Sequence, residues 1–137
     1  MFLLDTNVVS ELRKSRPHGG VVSWLAKVPD SSVYISVVTL AEIQAGIEIT
    51  REQDQKRANE IEAWADQLSA TFHVIPLDAK SSRLSAKLMH RRCSSLTDGA
   101  MLAATAKVHN LTVVTRNVRD FIHFDVELFN PFETKPD

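Results

Sequence analysis

Cysteine is almost missing from this sequence: Cys93 is the only one. No internal disulfide can staple the fold, and no cysteine cage can hold zinc. A single thiol fits a reducing compartment, and Cys93 itself is expected to pack or to stay inert. Long hydrophobic runs are missing too. The longest uncharged apolar-leaning stretch, residues 31–41, falls far short of the roughly 20 residues that a membrane-spanning helix needs. The amino terminus shows no basic leader, and Asp5 interrupts its apolar start, so no secretory signal is read there. Nor does charge of one sign dominate: the formal net charge is −1, which leaves no whole-molecule field to draw the chain onto nucleic acid or membrane. Any nucleic-acid contact must come from a local patch. The five histidines include no pair at metal-ligand spacing such as His-Glu-x-x-His. These absences leave a cytoplasmic protein with no membrane contact as the expectation.

What is present is an ordinary globular balance over 137 residues, 44% hydrophobic and 24% charged. One domain spanning residues 1–137 is expected, with a short frayed tail in "NPFETKPD". Short apolar runs recur: "FLL" at 2–4, "VYIS" at 33–36, "HVIPL" at 73–77, "LTVVT" at 111–115 and a final edge strand in "VELF" at 126–129. Helical spacing fills the intervals. Val8, Val9 and Leu12 suggest one helix and Val21 to Val28 another; Leu40, Ile43 and Ile47 share a face. Ile61, Trp64, Ala65, Leu68 and Phe72 read as one continuous amphipathic helix. A further helix is expected over 79–92 and a small-residue helix in "DGAMLAATAKVH", with Asn110 as a left-handed stop. Strands alternating with helices indicate an α/β domain with a mainly parallel sheet covered on both faces.

Sites in open α/β sheets form beyond the carboxyl ends of the strands, and that rule sorts the acids. Asp5 follows "FLL", Glu42 lies in the first turns after "VYIS", and Asp98 opens the helix after "SSLT". Asn117 and Asp120 follow "LTVVT". Clustered carboxylates repel unless a cation sits among them. Oxygen-only ligands suit hard ions such as Mg²⁺ or Mn²⁺, and the matching chemistry is phosphoryl transfer or phosphodiester hydrolysis. Structural explanations compete. Thr39 with Glu42, and Ser95 with Asp98, satisfy the capping-box pattern. Asp78 reads as an ordinary helix cap.

"FLLDTNVVSEL", "ISVVTLAEIQAGIE" and "TDGAMLAATAKVHNLTVVTRNVRDF", with the terminal "FNP", resemble the PIN-domain family, in its VapC and FitB branch. The resemblance covers nearly the whole chain. It implies an α/β/α sandwich and a Mg²⁺- or Mn²⁺-dependent ribonuclease that hydrolyses RNA with metal-activated water. It further implies the toxin half of a toxin–antitoxin pair, held by a VapB-like antitoxin, homodimeric, with transfer RNA among its candidate substrates. Asp5, Glu42 and Asp98 match the family's three metal-binding acids. For the fourth position the choice between Asn117 and Asp120 stays open, since many relatives carry Asp where this chain has Asn117. Thr6 and Thr115 match hydroxyl positions near the metals.

Lys80, Arg83, Lys87 and Arg91 follow at helical intervals, and Arg116 and Arg119 flank the fourth acidic position. A positive rim around an acidic centre is what would hold a phosphate backbone. The face from Ile61 to Phe72 is core, or in part a dimer surface or an antitoxin groove. Two alternatives remain at this level. One is a haloacid-dehalogenase-like phosphatase, although Asn7 stands where its second acid belongs. The other is a catalytically inactive PIN-like module that binds RNA or protein.

Overall fold

The first apolar run is the middle of the molecule. In the computed structural model, which describes residues 1–134, β1 (Phe2–Leu4) is flanked by β2 (Val33–Ser36) and β4 (Thr112–Val114). Outside these lie β3 (His73–Ile75) and β5 (Leu128–Phe129). The five strands run in the order β3-β2-β1-β4-β5, and every pairing is parallel. Leu4 lies opposite both Ile35 and Val114. The chain winds outward through β2 and β3, then returns to the other side of β1 for β4 and β5. The carboxyl ends of β1 and β4 therefore flank the point where strand order reverses, the place where such sheets form their sites.

Helices cover both faces, which is why the strands read as unbroken apolar runs. Alternation along each strand divides the core in two. Leu4, Val33, Ile35 and Val114 pack with Val8, Val9, Val21, Ile43 and Ile47. Those partners come from α1 (Thr6–Glu11), α2 (Gly19–Lys27) and α3 (Val37–Gln53). Two more helices, α4 (Gln55–Ala65) and α5 (Leu68–Thr71), close this layer through Ala58 and Leu68. On the opposite face Leu3 and Val113 pack with Leu102, Ala103, Phe121 and Phe124. That layer is built on α6 (Ala79–Met89) and α7 (Thr97–His109). This is the expected three-layer α/β/α sandwich. No helix among the described residues is long and apolar enough to cross a membrane.

Several local expectations need correction. The N-cap of α3 is Ser36, whose Oγ accepts from the Val38 amide at 3.0 Å. Thr39 is a buried residue in the first turn of the helix, three positions past the cap, so the Thr39–Glu42 capping box does not form. The Ser95–Asp98 box fails as well: Leu96 precedes α7 without a side-chain capping bond, and the Ser95 hydroxyl turns to Cys93 Sγ at 3.2 Å. Cys93 is exposed rather than packed. The helix expected over Ile61–Phe72 is interrupted at Asp66 and Gln67, between α4 and α5. Helix α6 stops at Met89, and Arg91 adopts a left-handed backbone with φ 63°, which takes it off the basic face of that helix.

Asp78 is the cap it was expected to be: Oδ1 accepts from the Ser81 amide at 2.7 Å, and His109 Nε2 lies 2.7 Å from Oδ2. Asn110 ends α7 at φ 57°, ψ 47°, the left-handed stop read from the sequence. The tail is ordered further than expected. Pro131–Glu133 form a 3-10 turn packed on α2, with Pro131 buried and the Phe132 ring 5.1 Å from that of His18. The remainder of the expected tail, residues 135–137, lies outside the described residues.

Candidate active site

Asp5 is the first residue after β1. Its amide still donates to the Val114 carbonyl at 2.8 Å, so the sheet itself fixes its position. Its side chain then serves as the N-cap of α1, with Oδ1 accepting from the Thr6 amide at 2.7 Å. The other oxygen, Oδ2, accepts from Thr115 Oγ1 at 2.8 Å and from Asn7 Nδ2 at 3.1 Å. Thr115 is fully buried just past β4, and it receives the Asn117 amide on the same hydroxyl at 2.9 Å. Asn7 completes the link by accepting the Arg116 amide on Oδ1 at 3.2 Å. Asn7 escaped the sequence reading, which noted only that it is not an acid. The available signal was its place one helical step beyond the strand end, with both an amide donor and an acceptor to offer.

Thr6 carries the network to the second acid. Its hydroxyl donates to Glu42 Oε1 at 2.8 Å and lies 3.2 Å from Thr39 Oγ1. Glu42 therefore turns inward across α1 rather than back along α3. Beyond it stands the exposed Asp98, with Glu42 and Asp98 lining one cavity of about 430 Å³ together with Val38 and Met101. Asp120 completes the run from the other side, in the 3-10 turn Val118–Asp120.

The electrostatics follow this order. Desolvation pushes the Asp5 carboxyl above its ordinary range; Thr115, Thr6 and Asn7 pull it back, and the negative charge of Asp120 adds to the rise. Glu42 is raised by desolvation first, opposed by the Thr6 hydroxyl, and raised again by Asp98 and Asp5. Glu42 thus feels Asp98 and Asp5, and Asp5 feels Asp120, which links the four acids into a chain. Asn117 contributes its backbone amide to Thr115, while Asp120 supplies the negative charge at that end.

The donor chemistry fits a hard divalent cation: oxygens only, and two carboxyls held toward the protonated form by burial and like charge. Among the described residues, no three such groups close on a single point as a preformed cage. The acids meet pairwise. The anticipated positive rim divides. Arg116 and Arg119 line a cavity with Asn117 and Asp120, and the Arg116 guanidinium lies over the Phe132 ring at 4.8 Å. Lys80, Arg83 and Lys87 instead line a separate cavity against Val108, which none of the acids shares.

An all-parallel α/β/α sandwich with acidic side chains gathered near the carboxyl end of its central strand defines a doubly wound α/β protein with its candidate centre beside the topological switch. The chain belongs to the PIN-domain family, whose model matches residues 2–127. Toxin FitB of Neisseria gonorrhoeae is 34% identical over 140 residues, covering 96% of this chain and 99% of that protein. The VapC ribonuclease Y4jK of Sinorhizobium fredii is 32% identical, covering 97% and 99%. The crystal structure of FitAcB from Neisseria gonorrhoeae superimposes with a TM-score of 0.83 at 32% identity, covering 97% of this chain and 99% of that one.

Proposed function

We propose that this protein is a divalent-metal-dependent endoribonuclease, the toxin of a VapBC-type toxin–antitoxin pair. The observation that carries the reading is the acid chain Asp98–Glu42–Asp5–Asp120 on the switch point, within a PIN-domain fold. Its kinship with a named toxin and a named VapC ribonuclease supports the biological role. Asp5, Glu42 and Asp98 would hold Mg²⁺ or Mn²⁺, with Asp120 as the fourth acid and Asn117 beside it. Such an ion lowers the pKa of water and offsets charge developing on a phosphate.

The chain's own residues prepare that centre. Thr115, Asn7 and the Thr6 amide fix both oxygens of Asp5, so the carboxylate costs little reorganisation on use. The Thr6 hydroxyl orients Glu42 toward Asp5 and Asp98. Arg116 and Arg119 offer positive charge to the strand that carries the scissile phosphate. No side-chain nucleophile is required. Asn7 is committed as an amide to Asp5, Thr115 and Arg116, which leaves the phosphatase alternative without its second acid. A VapB-like antitoxin and a second copy of the chain are the expected partners.

The test is RNA cleavage by purified protein with Mg²⁺ or Mn²⁺, with and without a chelator, beside Asp5→Asn. Cleavage by the parent that stops with the chelator and in the variant supports the assignment. Equal cleavage by parent and variant would sink it.

A further inference from the structure

The cavity beside the acid chain is built in a way that catalysis alone does not explain. It has a volume of about 560 Å³ and lies between the turn after β4 and the turn after β5. Small-ligand sites span about 300–1,000 Å³. Arg116, Arg119, Asn130 and Glu133 line it, with Asn117 and Asp120 joining it to the candidate active site. Among the described residues, no close ion pair joins Glu133 or Asp120 to Arg116 or Arg119 across its walls. Asn130 spends Oδ1 on the Phe132 amide at 2.9 Å, which leaves its two amide hydrogens for a ligand. Arg116 is the exception to this looseness. Its guanidinium carbon lies 4.8 Å from the centre of the Phe132 ring, and Phe132 rests in turn on His18.

We infer that this cavity is a nucleobase pocket that selects guanine in the RNA strand next to the scissile phosphate. The strand comes from the ribonuclease reading; the base preference comes from the walls. A guanidinium held over an aromatic ring is fixed in place on one side, and a base can pack against the side left open. Guanine offers the acceptors O6 and N7 that arginine reads, together with the N2 amino donor that a carboxylate accepts. Adenine, cytosine and uracil each present only part of that pattern to Arg119 and Glu133.

The experiment has two arms. In the first, parent protein with Mn²⁺ cuts a randomised single-stranded RNA pool, and the product ends are sequenced. Guanine should be enriched roughly tenfold at one fixed position from the cut, in line with one good bidentate contact. In Glu133→Gln and Arg119→Gln that ratio, normalised to total product, should fall toward one. In the second arm, metal-free protein is titrated with GMP, AMP, CMP and UMP by amide-detected NMR. GMP should bind most tightly and shift the Asn130 and Glu133 signals, and Glu133→Gln should lose the preference. Cleavage without guanine enrichment, or enrichment that survives both variants, overturns the pocket and leaves the ribonuclease standing. A pool left uncut instead overturns the ribonuclease, and the titration then decides the pocket alone, with equal binding of the four nucleotides counting against it.

Discussion

Asp5 does two jobs that pull against each other. As the N-cap of α1 it is favoured as an anion by the helix amides. As a buried member of an acid chain it is disfavoured as one. Burial wins, since its pKa is raised overall, and Glu42 behaves alike. A carboxyl raised on folding holds its proton longer in the native state. Its contribution to stability therefore falls as pH climbs from the unfolded value, about 4, through the raised folded value. In metal-free buffer, Asp5→Asn should gain on the parent across that climb. Thermal melts from about pH 4 to 7 test this, and a gap that stays constant with pH would contradict it. Glu42→Gln separates ligand from structural role. Neutralising it relieves repulsion from Asp98 and Asp5, so the midpoint should hold or rise while RNA cleavage drops by roughly a hundredfold or more. A variant that cuts at the parent rate would return Glu42 to a purely structural part. Thr115→Val removes a buried donor to Asp5 and the acceptor of the Asn117 amide. Denaturant titration should show a loss of about 1–3 kcal/mol, the usual cost of leaving buried partners unmade.

At the scale of the element, the strands were legible and only some of the helix boundaries were. "FLL", "VYIS" and "LTVVT" stand out because a strand buried on both faces must be apolar throughout. Asp78 and Asn110 were equally plain, since a cap and a left-handed stop are local decisions. The start of α3 was misplaced because "TLAE" matches a capping box while the true cap, Ser36, lies at the end of a β-rich run. The break at Asp66–Gln67 carries no Gly or Pro to mark it. Asp5, Glu42 and Asp120 stand out by their place after strands and Asp98 by its place at a helix start, yet the links through Thr6 and Thr115 depend on contacts more than 30 residues apart. No window of sequence contains such contacts. One element contact gives a direct test. A Cβ on Gly20 would collide with the carbonyl oxygens of Thr134 and, at 2.6 Å, Pro131. Both are backbone atoms that cannot swing aside, so Gly20→Ala should cost about 1–3 kcal/mol. It should also loosen the turn that carries Phe132, seen as faster amide exchange over 130–134. Unchanged stability and exchange would show that α2 and this turn can separate freely.

For the whole molecule, the expected biology is toxicity under restraint. Expression alone should slow growth, Asp5→Asn should not, and a co-encoded antitoxin should restore growth to the parent. A soluble, metal-loaded parent that leaves growth unaffected would count heavily against the toxin role. The sheet order adds a consequence of its own. Strand β1 is made before the other four strands, yet its neighbour on one side is β4, more than 100 residues later, and Asp5 is tethered to Val114 and Thr115. Asp98 and Asp120 also lie in the last third of the chain. A growing chain accordingly carries no assembled acid centre until Asp120 has been made. Asp5 is thus made early and completed late, and whatever chemistry the finished centre performs begins only once β4 has docked beside β1.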